Sequence, residues 1–175
     1  AGSAAAVNFE YYCYFIIQGF NGAAISFIAQ NYGAGRMDRV HRVFWICMGS
    51  SVAFCAAFNW LFAWQSDFFL GFFSDVPMVH HYGTLRMHIV LALQFIASSY
   101  EIAGSSLRGM GKSLTPALMT VFGTCLLRMV WVYVVSPIWR GYDVLMTVYP
   151  VSWVVTGLMV LTAYWLTIRK KTMKA

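Results

Sequence analysis

The sequence predicts an all-α fold: a polytopic transmembrane helix bundle of five spans, forming one membrane domain over residues 1–175. Three observations carry this expectation. The chain is 60% hydrophobic and only 10% charged, whereas soluble domains run at roughly 45–50% apolar and 25% charged residues. Five segments, 9–30, 43–64, 87–107, 116–136 and 148–168, each supply the ~20 mostly apolar residues that carry a helix across a ~30 Å hydrocarbon core. The alternating pattern of a membrane barrel strand is absent, and lipid admits only helices or closed barrels.

In the first span, Glu10, Tyr14, Gln18 and Asn21 recur at helical spacing and fall within about 80° of one another. They predict a polar face, although Glu10 lies close enough to the span's end to reach headgroups instead. Gly19/Ala23 and Gly22/Ser26 are small-xxx-small pairs that suit close helix packing. The connection NYGAGRMDRVHR leads to the second span, which ends near Trp60 and Trp64. The connection 65–86 is longer. Its start, SDFFLGFF, is amphiphilic and suits the membrane interface. Ser74 or Asp75 is then expected to cap a helix with Pro77 in its first turn, running on into the third span.

The third span carries the clearest pattern. Gln94, Ser98, Glu101 and Ser105 lie within about 60° on a helical wheel. They form one polar stripe, with Ala97 and Gly104 beside it. The next turn, LRGMGKSLTP, resembles the end of a phosphate-binding loop at Gly111-Lys112-Ser113. That motif needs a glycine where Ser106 stands and a preceding strand, and here the preceding segment is a span. A tight turn between helices is the expected structure. Gly109 and Gly111 permit positive φ, Thr115 suits a cap and Pro116 a first helical position. The fourth span holds Thr120, Thr124, Arg128 and Trp131 at helical spacing. Arg128 either pairs with Glu101 or snorkels outward. In the fifth span, Tyr149 and Trp153 mark one end and Tyr164 and Trp165 the other.

The net charge of +6 follows from topology without a nucleic-acid partner. Basic residues gather on one side: Arg36, Arg39 and Arg42, then Arg108 and Lys112, then Arg169, Lys170, Lys171 and Lys174. The other side holds Arg86 and Arg140. Lysine and arginine favour the cytoplasmic face, so the C-terminus is expected there. An odd number of spans puts residue 1 outside. The opening AGSAAAVNFE lacks both an initiator methionine and a basic signal region, so a fragment of a longer protein is expected. Cys13, Cys47, Cys55 and Cys125 all fall in apolar segments and read as small buried hydrophobes, not as disulfide partners. No metal, cofactor or catalytic set is expected. His80-His81 has only Asp75 as a nearby acidic residue.

Ionisable groups inside a bilayer cost about 2.5–3.5 kcal/mol each on insertion scales and usually face a bundle interior or a watery cavity. Glu101 admits two readings: a buried carboxylate that binds helices together through Arg128, or one that lines a cavity and exchanges a proton or a cation.

The stretches QNYGAGR (30–36), LRGMGKSLTP (107–116) and YPVSW (149–153) resemble those of the multidrug and toxic compound extrusion (MATE) family. The order and spacing of the five spans are similar to its C-terminal part. The resemblance implies spans eight to twelve of a twelve-helix carrier, belonging to one six-helix lobe of two around a central cavity. The remaining helices, the first lobe and span seven, would be partners. It implies export of small cationic amphipathic organic compounds across the plasma (inner) membrane, in exchange for H⁺ or Na⁺, by alternating access. Some members carry an aspartate at the position of Ala97; Glu101, one turn further, would take its place. The candidate ion- and substrate-binding residues are therefore Glu101, Gln94, Ser98, Gln18, Asn21 and Arg128. The rival expectation is a flippase for lipid-linked saccharide precursors, for which Arg128 would be the pyrophosphate ligand.

Overall fold

The computed structural model describes residues 2–172, with side chains described through residue 169. Helix α1 (Gly2–Gly33) and helix α2 (Met37–Trp64) form the first two spans. The turn between them is set by Gly35, whose φ of 72° places it in the left-handed region. Gly35 N–H donates to Tyr32 O at 3.1 Å and Arg36 N–H to Asn31 O at 2.9 Å. This pairing is the Schellman motif, which satisfies carbonyls that a helix end leaves free. The same device closes the third span. Gly111 has φ 77°; its N–H donates to Arg108 O and that of Lys112 to Leu107 O, both at 2.9 Å. Of the two glycines expected to supply positive φ there, only Gly111 does. Gly109 is helical and serves close packing instead. An added Cβ would lie 3.0 Å from Ile25 O and 3.2 Å from Ile28 Cγ2, so its absence lets the third span close on α1.

The connection expected over 65–86 is mostly helix. Helix α3 (Ser66–Gly71) is followed by helix α4 (Pro77–Ile89), a 3₁₀ stretch Leu91–Ile96 and helix α5 (Ala97–Gly109). The last three make a single span, Pro77–Gly109. Pro77 stands in its first turn as expected, but neither Ser74 nor Asp75 caps it. Val76, in extended conformation, precedes the helix, and Ser74 Oγ accepts from Val76 N–H at 3.2 Å. Arg86 therefore lies inside a span and is buried. It leaves the charge pattern of the connections, and Arg140 alone remains on that side.

The fourth span, Leu114–Ile138, comprises helix α6 (Leu114–Thr120), a π-helical stretch Val121–Leu126, helix α7 (Leu127–Val130), a second π-helical stretch Trp131–Val135 and helix α8 (Ser136–Ile138). It starts at Leu114 after Ser113, with no side-chain cap. Thr115 is thus inside the helix, and Pro116 follows it. Thr120 donates to Pro116 O at 2.8 Å, and Thr124 bonds back to Thr120 O. Hydroxyls folded back on a helix's own carbonyls tend to bend it. This span packs on α9, and its start on α5. Its other face is exposed, with Val121, Phe122, Leu126 and Met129 among the outward residues. Cys125 is exposed there too, whereas Cys13, Cys47 and Cys55 are buried, and all four are free thiols. Helix α9 (Tyr142–Thr172) is the fifth span, with Pro150 inside it. Each of the five expected segments lies within one of the five observed spans. Of the expected tail charges, Arg169 is exposed; the side chains of Lys170 and Lys171, and all of Lys174, lie outside the described residues.

The core is double. At the end bearing both Schellman turns, hereafter the basic end, Ile28, Phe44, Ile102, Leu107, Val160 and Tyr164 belong to one apolar cluster. Tyr164, expected at the interface, is fully buried and stacks on Phe44 with ring centroids 4.1 Å apart. At the opposite end Phe9, Ile17, Cys55, Leu91, Met146 and Trp153 belong to a second cluster. Trp153, likewise expected at the interface, is buried too. Both rings face into the bundle, Tyr164 against Phe44 of α2; depth along a span does not set which way a ring points. Between the clusters, every packed span turns polar: Gln18 and Asn21 on α1, Ser51 on α2, Ser98 and Glu101 on the third span, and Thr156 on α9.

Candidate functional site

The polar layer at mid-height is where a membrane bundle can hold a charge. A polar side chain there is stable only if its neighbours satisfy it. Asn21 is buried; its Nδ2 donates to Glu101 Oε2 at 2.9 Å and lies 3.4 Å from Gln18 Oε1. Tyr14 donates its hydroxyl to Glu101 Oε1 at 3.2 Å. Glu101 thus receives one neutral donor on each oxygen. Among the described residues it forms no ion pair, and the expected partnership with Arg128 is not made. Arg128 instead donates to Ser152 Oγ at 3.0 Å and lies over the Tyr149 ring, 4.5 Å from its centroid. The reason is direction. Arg128 and Trp131 face α9, where the Trp131 indole donates to Val144 O at 3.1 Å.

The expected stripe on the third span is divided. Gln94 donates from Nε2 to the backbone carbonyl of Glu10 at 2.9 Å, toward α1. Ser98 is 0% exposed and shares a 3.0 Å hydrogen bond with Ser51 on α2. It ties two spans together. Ser105 accepts from Arg108 at 2.8 Å. Within α5 the arc between Ser98 and Glu101 is enough to aim one at α2 and the other at α1; at Gln94 the wheel misleads because residues 91–96 are 3₁₀, a winding of about 3.0 residues per turn. A helical spacing of about 3.6 residues per turn does not carry through such a stretch. Ala97 is 2% exposed within the apolar cluster of the opposite end. Of the sequence candidates, Glu101, Asn21 and Gln18 meet; Gln94, Ser98 and Arg128 lie apart from them.

Toward the opposite end lies a cavity of about 450 Å³, lined by Glu10, Tyr11, Tyr14, Arg86, Gln94 and Tyr149, with Val7. Its charged pair is Glu10 and Arg86. The guanidinium grips the carboxylate through both Nε and Nη2, the latter at 2.9 Å, a two-point geometry particular to arginine. Arg86 also donates to Ser3 Oγ at 3.0 Å and lies over the Tyr149 ring at 5.2 Å. Glu10 is therefore turned inward to a partner, not outward to headgroups. Tyr149 has a guanidinium near it from each of two spans. Gln94 Oε1 is buried and has no hydrogen-bond partner among the described residues. Tyr14 links the two regions: it lines the cavity and donates to Glu101.

Sequence reasoning misses Arg86, Ser51 and Tyr149 as members of these networks. It places Arg86 in a connection, although the residue stands eight positions before Gln94 on a helix already expected to continue. Ser51 carries no signal of its own, since it stands beside Ser50 in an apolar span and nothing in the residue types says which of the two faces inward. Among the described residues, no group of three or more His, Cys, Asp or Glu gathers that could hold a metal. His80 is occupied by Ser74 O at 2.6 Å.

A family model, MatE, matches residues 1–134. The chain belongs to the MatE family. The match takes in the first three spans and most of the fourth. QNYGAGR and LRGMGKSLTP lie within it, while YPVSW and the fifth span lie beyond. As a MatE protein, the chain is a multi-pass membrane efflux transporter. No curated protein matches it.

Proposed function

We propose that this MatE chain forms part of a cation-coupled antiporter, in which Glu101 alternately binds H⁺ or Na⁺ and a small cationic amphipathic organic compound. The carrying observation is the state of Glu101: half-buried at mid-height, with only Tyr14 and Asn21 as donors and no basic partner among the described residues. Ionisable groups kept inside spans without an opposite charge commonly belong to ion pathways, where a cation supplies the missing partner. Mid-height sites between spans are also where secondary transporters hold their coupling ions. Asn21 and Gln18 would complete the ion's shell, and Gln94 would serve the adjoining cavity. The walls of that cavity, rich in tyrosine, suit flat cationic ligands. On this reading the protein sits in the plasma (inner) membrane with the basic end and C-terminus in the cytoplasm, and the first lobe and span seven complete the carrier.

A flippase for lipid-linked saccharides would need an unmatched basic cavity. Arg86 is matched by Glu10, which leaves Arg128 as the remaining guanidinium beside Tyr149 and weighs against that alternative. The test is transport by the whole protein in proteoliposomes with imposed pH or Na⁺ gradients. Glu101→Gln is expected to abolish gradient-driven efflux of an organic cation while the protein still inserts. Wild-type efflux by that variant would refute the assignment.

A further inference from the structure

Lys112 is the charged member of the Gly111-Lys112-Ser113 turn, and the transport reading does not use it. The backbone N–H groups of Gly111 and Lys112 are occupied by Arg108 O and Leu107 O, so they cannot cradle a phosphate as a nucleotide-binding loop does. The side chain is a different matter. Its ammonium donates to Thr167 Oγ1 at 3.1 Å, a neutral partner. Among the described residues it forms no ion pair.

From that ammonium a groove of about 590 Å³ runs between the fourth span and α9, walled by Leu158, Met159 and Leu166, with Thr115 and Thr167 at the lysine's end. Leu158 and Leu166 are 64% and 54% exposed, on the flank of the bundle that meets lipid. A neighbouring cavity of about 510 Å³ shares Leu166 and reaches Trp165 and Arg169. The groove is thus oily along its length and cationic at one end, at the depth where spans meet headgroups.

We propose that this groove is a binding site for an anionic glycerophospholipid of the leaflet at the basic end. The phosphate would lie at Lys112 with the Thr115 hydroxyl, and an acyl chain along Leu158, Met159 and Leu166. Charge complementarity selects this occupant. A covering helix would press apolar side chains on an ammonium that has no carboxylate, whereas a phospholipid supplies both the chain and the countercharge. Basic pockets between spans are known to take acidic headgroups. The inference needs only the membrane spans and the MatE fold; it stands or falls separately from the role of Glu101.

The whole protein, stripped of lipid in detergent, is titrated with phosphatidylglycerol or phosphatidylcholine, and bound lipid is read by native mass spectrometry. Phosphatidylglycerol is expected to be retained roughly fivefold better, the effect of about one basic residue on an acidic headgroup. Lys112→Gln should erase that preference, and Arg140→Gln, at the other end, should leave it intact. Leu158→Trp, a change at an exposed position that fills the groove, should lower retention of both lipids. Equal retention of the two lipids by the wild type, a preference that survives Lys112→Gln, or retention untouched by Leu158→Trp would overturn the proposal. So would displacement of the lipid by excess glycerol 3-phosphate, which would make the free phosphate the ligand.

Discussion

A carboxylate and a guanidinium buried singly in the bundle would each carry the desolvation penalty of an unpaired ion. Glu10 and Arg86 cancel that penalty by lying in two-point contact, with side chains 13% and 9% exposed. Breaking such a pair from one side is the costly change, because it strands the survivor; removing both partners is milder. Glu10→Gln and Arg86→Met are each expected to cost about 3 kcal/mol, and the double variant less than their sum. Thermal melting of the four proteins in one detergent measures the coupling; strictly additive shifts would show that the contact contributes nothing. Glu101 contrasts with Glu10. Both are acidic residues in spans, and from residue pattern alone each has two possible fates. The pattern exposes the carboxylates but not their partners, because a partner depends on which way a neighbouring helix faces. Arg128 shows this most plainly: it has the right charge for Glu101, yet it lies against Ser152 and Tyr149 of α9.

At the scale of the helix, the glycines separate into three physical roles. Gly35 and Gly111 hold left-handed backbone at Schellman turns, Gly109 permits close approach to Ile25, and Gly19 would meet nothing within 4 Å if it carried a Cβ. The signs of substitution should differ accordingly. Gly111→Ala is expected to destabilise by roughly 1–2 kcal/mol, the cost of left-handed backbone for an L-residue. Gly19→Ala should stabilise by up to about 1 kcal/mol through helix propensity alone. Detergent melting midpoints moving the same way for both would refute this division. The small pairs at Gly19/Ala23 and Gly22/Ser26 have the spacing of packing motifs, yet neither glycine has a neighbour for an added Cβ; spacing identifies a smooth face, not what lies against it. The spans themselves are legible because about twenty apolar residues in a row can do little else. The 3₁₀ and π-helical stretches are not, since LALQFI and VFGTCL have ordinary apolar composition. In the fourth span Thr120 and Thr124 bond back to their own helix, whereas LALQFI holds no hydroxyl to do so.

Across the whole molecule, the charge asymmetry grows once Arg86 moves into a span. The basic end then keeps Arg36, Arg39, Arg42, Arg108, Lys112 and Arg169 among the described residues, against Arg140 at the other end. Orientation is thus testable by accessibility. With Cys125 replaced by Ser, Asp75→Cys is expected to react with a membrane-impermeant maleimide on intact cells, and Ser113→Cys only after the membrane is opened. The reverse order would turn the protein over in the bilayer and refute the cytoplasmic C-terminus.

The mid-height polar layer has a mechanical consequence. Four helices carry hydrophilic side chains at that height: α1 joins the third span through Asn21, Tyr14 and Glu101, α2 joins it through Ser51 and Ser98, and Thr156 bonds back to Ser152 O of its own helix. If α1 slid by about half a turn, roughly 2.7 Å, Asn21 and Tyr14 would both be drawn off Glu101, leaving its charge without donors inside the bilayer, where an ionisable group costs about 2.5–3.5 kcal/mol. Tilting about that level disturbs the pairing far less. The layer therefore acts as a pivot pin: the helices can lean around it, but they are barred from pistoning past one another.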